Sequence, residues 1–290
     1  MALSTTNSPE LTQEQVQRIL IQPLTAASTF LASGPRIFDT DGNQIRIPTL
    51  AGMTTPAWHG ENELITEVEP DFGEVTLLPS TMKSVKSLTR FSNELARQSV
   101  VALDSALRDR MVQDVAAILD TAFFSGNGPT GVQPTGMTNW TGTTALTGIG
   151  ELTLDDLLDA LGSVMASNVE ISRCRWFMRS GAFMKLRKLK DTAGKYLLQP
   201  DPTQDALFRL FGVPVVVTNR IPEIAGTPVT TTVVLADMSK VAVARDQSPS
   251  VKILSETFGQ FDQLAIRVTA RYDVAPLNPA AVVVLRGVTA

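Results

Sequence analysis

Residues 92–124 constrain this chain more than any other stretch, because they read as one long amphipathic helix that the rest of the sequence must accommodate. Ser92 has the chemistry of an N-cap, its hydroxyl able to accept a free amide of the first turn, and Glu94 lies where the helix dipole favours negative charge. Leu95, Leu103, Leu107, Met111, Val115, Ile118 and Ala122 recur mostly at four-residue steps, and Leu119 and Phe123 widen the stripe into one buried face. Asp104 with Arg108, and Arg110 with Asp114, are i,i+4 charge pairs for the wet side. Gly126, Gly128 and Pro129 supply the stop. At 1.5 Å per residue the predicted rod is about 45 to 50 Å long, enough to cross a whole domain.

A helix of that length needs a large apolar surface to lie on, and 290 residues with 43% hydrophobic content can furnish one. The net charge of -4 and the pI near 5.2 argue against an electrostatically driven nucleic-acid binder. A single cysteine, Cys174, excludes an intramolecular disulfide, and its place in the apolar run 173–178 predicts a buried, inert thiol. The first ten residues lack the basic and then apolar pattern of a secretory signal, and no apolar run approaches a membrane span, so folding in the cytoplasm is expected.

Ahead of the spine, residues 11–20 predict a short helix. Thr12 and Gln15 are spaced as a capping box, Leu11 and Val16 as a hydrophobic staple, and Pro23 ends it. Residues 36–90 have strand and turn texture, with Asp41-Gly42 as a turn. Within them 57–68 and 74–90 predict the two arms of a long hairpin turning at Pro70, Asp71 and Gly73. So little apolar surface in so long a hairpin predicts that it lies along another surface, such as a second copy of the chain.

After the spine, Gly126, Gly128 and Gly131 fit the letters of a dinucleotide fingerprint. They follow a helix instead of a strand and include a proline, so a helix stop is the better reading. Asn139-Trp140-Thr141 has the letters of a glycosylation acceptor without a secretory signal to use it. A second amphipathic helix is predicted over 153–166, with Leu154, Leu157, Leu158, Leu161 and Met165 inward and Asp155, Asp156 and Asp159 solvated near its N-terminus. A short basic helix over 180–190 carries Lys185, Arg187, Lys188 and Lys190. Strands follow over 212–219, 230–236, 240–245, 251–254 and 280–285. In a further strand over 264–272, Leu264, Ile266, Val268, Ala270 and Tyr272 alternate with Arg267, Thr269, Arg271 and Asp273. The sum is an α+β chain. With one histidine, His59, one core-like cysteine, no metal-ligand cluster and no phosphate loop, no catalytic, cofactor-binding or metal-binding residue is predicted, and the pattern points to assembly instead of enzymatic chemistry.

The same residues resemble a family, the tailed-bacteriophage major capsid proteins with the Hong Kong 97 fold. Phe91-Ser92-Asn93-Glu94-Leu95 with Ser99 is similar to the family's start of the spine helix, and Gly126-Asn127-Gly128 with Pro134-Thr135-Gly136 to its exit. Trp58 and Glu61 resemble the start of the extended loop. Leu189-Lys190-Asp191, then Phe211-Gly212-Val213-Pro214-Val215, then Leu235-Ala236-Asp237, resemble successive landmarks of the axial domain. The resemblance implies an N-terminal arm over 1–46, an extended loop over 47–90, a peripheral domain over 91–136 and 238–275, and an axial domain over 137–237 and 276–290. It implies hexamers and pentamers of an icosahedral head that encloses double-stranded DNA without sequence-specific binding, assembled in the host cytoplasm with a separate scaffolding protein or none, and with portal and decoration proteins as candidate partners.

Contacts between subunits are expected at Trp58, at the acidic loop residues Glu61, Glu63, Glu67, Glu69, Asp71 and Glu74, and at Arg267 and Arg271, with Glu256 or Asp262 of adjacent copies as partners for the arginines. Some relatives crosslink a loop lysine to a neighbour's asparagine, whereas residues 51–82 here contain no lysine. Two other readings remain. An encapsulin-type nanocompartment would enclose cargo protein in place of DNA, and a soluble enzyme or binding module would be a monomer or small oligomer.

Overall fold

A computed structural model describes residues 27–52, 58–62, 64, 71–78, 83–92, 94, 103–128, 132–190, 193–198, 208–254 and 257–290. The predicted helix over 11–20 lies outside them, as do the Asp104–Arg108 pair's side chains. Two sheets and a hairpin are built on the spine helix, here α2 (Leu103–Ser125), which follows the short α1 (Thr29–Ala32). A four-stranded sheet has the order β1 (Arg36–Asp39), β10 (Val241–Leu254), β11 (Gln263–Pro276), β4 (Ser84–Ser92). A six-stranded sheet has the order β5 (Thr144–Leu146), β12 (Val282–Thr289), β9 (Thr230–Asp237), β6 (Cys174–Met178), β8 (Val213–Val217), β7 (Arg209–Leu210). β2 (Ile45–Gly52) and β3 (Asp71–Leu77) pair only with each other.

The described spine is 23 residues long, about 35 Å; Glu94 is helical as well, and residues 95–102 between them lie outside the described residues. Ser92 ends β4 in register with Gln263, because β4 continues the ladder begun by β11 until its last residue. From Met111 on the predicted stripe is present, with Met111, Val115, Leu119, Ala122 and Phe123 buried. Ile118 is exposed, displaced by Val112 and Ala116, which turn the buried face by a fraction of a turn. Arg110 pairs with Asp114 at 3.1 Å on the wet side. The helix ends where expected. A Cβ on Gly126 would stand 2.0 Å from the carbonyl oxygen of Pro134, so only glycine lets the returning chain approach this closely. The Gly136 amide then donates to the Gly126 carbonyl at 3.0 Å.

The spine's buried face packs on the inner row of β11, Ile266, Val268, Ala270, Tyr272 and Val274, in the alternation read from the sequence. The same core takes in Phe177, Val234, Ala236, Val282 and Val284 from one face of the six-stranded sheet. Aromatic rings stitch the parts together. Phe30 of α1 lies 5.0 Å from Phe123 and 5.4 Å from Phe124, Phe123 reaches Tyr272 of β11, and Phe124 reaches Phe177 of β6. The opposite face of the six-stranded sheet carries Cys174, Trp176, Val233, Leu235 and Val283 under α3 (Leu154–Ala166) and α4 (Ser180–Arg187). Thr153 caps α3 in a capping box with Asp156, a cap the sequence left unnoticed. Leu158 and Met165, expected inward, are exposed, and Ala160 and Val164 fill the interior beside Leu157 and Leu161.

The hairpin differs from expectation in two ways. Its second strand is β3, whereas 84–90 belong to β4 and pair with β11, so the predicted arm 74–90 is two strands in two sheets. Asp71 and Gly73 are strand residues opposite Gly52 and Thr49, not a turn. Nor is the whole hairpin adrift, since Leu77, Ile45 and Ile47 join Ala242, Ala244, Ala275 and Leu277 in a third small core at its base. Of the arm expected over 57–68, residues 58–62 and 64 are loop and turn instead of strand, and the other half lies outside the described residues.

Candidate assembly surfaces

One buried polar site holds a residue that pattern reading passed over. Asp120 sits on the spine between Leu119 and Ala122, within the buried stripe, and is 2% exposed. Its carboxylate accepts the hydroxyl of Ser28, the amide and hydroxyl of Thr29 at 2.8 and 2.7 Å, and the Phe30 amide at 3.3 Å. Ser28 is also the N-cap of α1, accepting from the Leu31 amide. An unpaired acid inside an apolar stripe was the available signal, since a buried carboxylate must be met by donors. A cleft of about 540 Å³ opens beside it, lined by Gln113, Thr218, Asn219 and Arg220 among others. With four donors already on Asp120, the carboxylate is committed to holding α1 in place.

A second buried acid overturns the outward placement of Asp273. It is 4% exposed, accepts the Leu78 amide at 2.9 Å, and lies 3.5 Å from Lys83. These bonds tie the end of β3 and the start of β4 to β11. At the sheet's edge Arg245 clasps Asp39 with two nitrogens, joining β10 to β1, and this bond holds its guanidinium above its ordinary pKa. Burial pushes the Tyr272 hydroxyl up to about 12 and the Cys174 thiol up to about 12, as an inert core cysteine requires. Among the described residues no cluster of acids, histidines and cysteines could hold a metal, and no helix is long and apolar enough to cross a membrane.

The residues expected to meet other copies are distributed unevenly. Trp58 is fully exposed, Glu61 and Leu64 are exposed near it, and Phe72 projects from β3. Glu63, Glu67, Glu69 and Glu256, and the side chain of Asp71, lie outside the described residues. Glu74 is exposed, 4.0 Å from Arg46 of the opposing strand. Arg267 is exposed on β11 between Lys252 and Leu88 of the flanking strands. Arg271 reaches Asp246 of its own chain at 3.1 Å, so one of its bonds is spent within the subunit.

The described residues thus form a spine helix under a sheet, a hairpin with an exposed tryptophan between its strands, and a second sheet with helices on its far face. The profile of the phage capsid family matches residues 11–287. The chain belongs to that family. It is a capsid subunit, a structural component of the phage head. It is 25% identical to the major capsid protein of Klebsiella oxytoca phage phiKO2 over 310 residues, 99% of this chain and 71% of that protein. Its fold, of the Hong Kong 97 type, is shared with the capsid of a native GTA particle at a TM-score of 0.73 and 20% identity, covering 90% of this chain and 91% of that one. The capsid subunit also matches a structure from Microbacterium phage Oxtober96 at a TM-score of 0.72 and 17% identity, covering 98% and 99%.

Proposed function

We propose that the subunit assembles through its hairpin into hexamers and pentamers that close an icosahedral head around double-stranded DNA. One observation carries this reading. The hairpin's base is packed on its own subunit by Ile45, Ile47 and Leu77, while Trp58, Leu64 and Phe72 towards its free end are exposed. Large apolar side chains gathered at the end of a projecting ribbon mark a surface that another molecule covers. In this reading the arm is 1–46, the extended loop reaches from 47 to the end of β3, and β4 joins the peripheral domain of spine and four-stranded sheet. The six-stranded sheet with α3 and α4 is the axial domain. The acidic loop residues Glu61, Glu63, Glu67, Glu69, Asp71 and Glu74 then face basic neighbours, and Arg267 lies where subunits meet.

The head forms in the host cytoplasm, with portal and decoration proteins as its further partners. The net charge of -4 fits a wall that does not grip its contents, since like charge discourages adhesion of DNA. Expression of the chain followed by electron microscopy tests the reading. Rings or closed shells are expected, and a monomer or small oligomer at micromolar concentration would overturn it. Particles from infected cells should hold nuclease-resistant DNA; protein cargo in its place would make the shell a nanocompartment of the encapsulin type.

A further inference from the structure

The six-stranded sheet carries two bare features on opposite sides, and they complement each other. On the β12 side, α3 buries Leu157, Ala160, Leu161 and Val164 and turns Asp155, Leu158, Asp159, Gly162 and Met165 outward. Leu158 is 46% and Met165 52% exposed. Nothing lies within 4 Å of where a Cβ on Gly162 would stand, so the subunit itself gives no reason for a residue that weakens a helix interior. Close approach by a group from outside supplies one.

On the other side, the edge strand β7 turns into β8 through Phe211 and Gly212, with Leu210 paired to Val213. Both turn residues have positive φ, 50° and 80°. That conformation suits Asn-Gly, and a phenylalanine there is disfavoured. The ring is 42% exposed, so burial within the subunit does not repay the backbone. Strained residues of this kind mark function. Arg209 is exposed two residues away.

The two features stand at the same end of the sheet. α3 finishes at Ala166, with seven residues between it and the start of β6 at Cys174, and β8 starts alongside β6, with Val215 opposite Trp176. A rotation about an axis along the strands therefore carries the Phe211 turn of one copy towards α3 of the next. Such head-to-tail contacts close into rings. Charge agrees with the match, because α3 has three aspartates and no cation while the turn is flanked by Arg209.

We infer that adjacent subunits of a ring meet by seating Phe211 of one copy on α3 of the next, at Gly162 between Leu158 and Met165, with Arg209 against Asp159. The inference rests on the ring-forming reading above and names the surfaces that form the ring. Phe211→Asn separates assembly from folding, because asparagine favours this turn. The variant subunit should melt at or above the wild-type temperature yet give at least tenfold fewer rings or shells by sedimentation and negative-stain microscopy. Arg209→Glu and Asp159→Arg should each lower the yield, and the double variant should restore it. If wild type assembles and Phe211→Asn assembles equally well, or the double variant is no better than the singles, this contact is wrong while the capsid reading stands. If wild type forms no rings at all, the ring-forming reading on which this contact rests fails.

Discussion

Asp120 on the spine helix accepts the hydroxyl of Ser28 across 92 residues of sequence, with the backbone and side chain of Thr29 completing the same carboxylate shell. Asp120→Ala would strand these donors in a buried site. The expected loss is about 3 kcal/mol or more, read as a lower urea midpoint at unchanged slope. Asp120→Asn, which keeps the shape but turns a donor towards donors, should cost less, about 1 to 2 kcal/mol. An Asp120→Ala midpoint equal to wild type would show that α1 is not held by this residue.

Alkaline pH should destabilise the subunit ahead of neutral or mildly acidic pH. Burial raises the Cys174 thiol from 9.0 to about 12 and the Tyr272 hydroxyl from 10.0 to about 12. Below pH 9 both groups hold their protons folded or unfolded, so stability is fully present. Between pH 9 and 12 the unfolded chain releases protons that the folded one keeps, and stability falls. Melting temperatures measured from pH 8 to 11 should drop, and Cys174→Ala should flatten the first part of that slope. A thiol reagent at pH 8 should label Cys174 only on unfolding; rapid labelling of the native subunit would contradict its burial.

Replacing residues 53–70 by Asn-Gly should close β2 onto β3 with a two-residue turn at the Gly52–Asp71 pair. Ile45, Ile47 and Leu77 keep their core, so the melting temperature should move by only a few degrees. Shell yield should collapse. Normal shells from this variant would remove the hairpin's free end from assembly.

Mature particles boiled in detergent and reductant should run as one band near 31.2 kDa. Residues 51–82 have no lysine, and the next two are held on the subunit's own sheet: Lys83 3.5 Å from Asp273, and Lys86 in β4 opposite Thr269. A lone Cys174 could join chains only in pairs, and it is buried. A ladder of higher bands containing this chain would mean a crosslink from another source.

Elements whose burial follows one period were legible in the sequence. The alternation of Ile266, Val268, Ala270 and Tyr272 gave β11 its inner face, and the glycines at 126 and 136 marked the end of the spine. What escaped were features decided by tertiary pairing. Ser92 closes β4 opposite Gln263, and no local pattern announces a partner so far along the chain. Asp273 alternates with buried residues as an exposed one would, and it is inside because Leu78 and Lys83 meet it there. Leu158 and Met165 fit an apolar stripe and nevertheless face out, since hydrophobicity alone does not say which molecule will cover a residue. The intrachain partner of Arg271 was not legible either, since Asp246 lies 25 residues away on the neighbouring strand.

Strand β1 is completed by β10, the Asp39–Arg245 clasp spanning 206 residues. During synthesis, then, the four-stranded sheet cannot be finished until most of the chain has left the ribosome, and β11, its central strand, emerges later still. Contacts this distant in sequence form late and slowly. The sheet that carries Arg267 and backs the base of the hairpin is therefore complete only once β10 and β11 have both been made, so the subunit's two halves cannot mature one after the other.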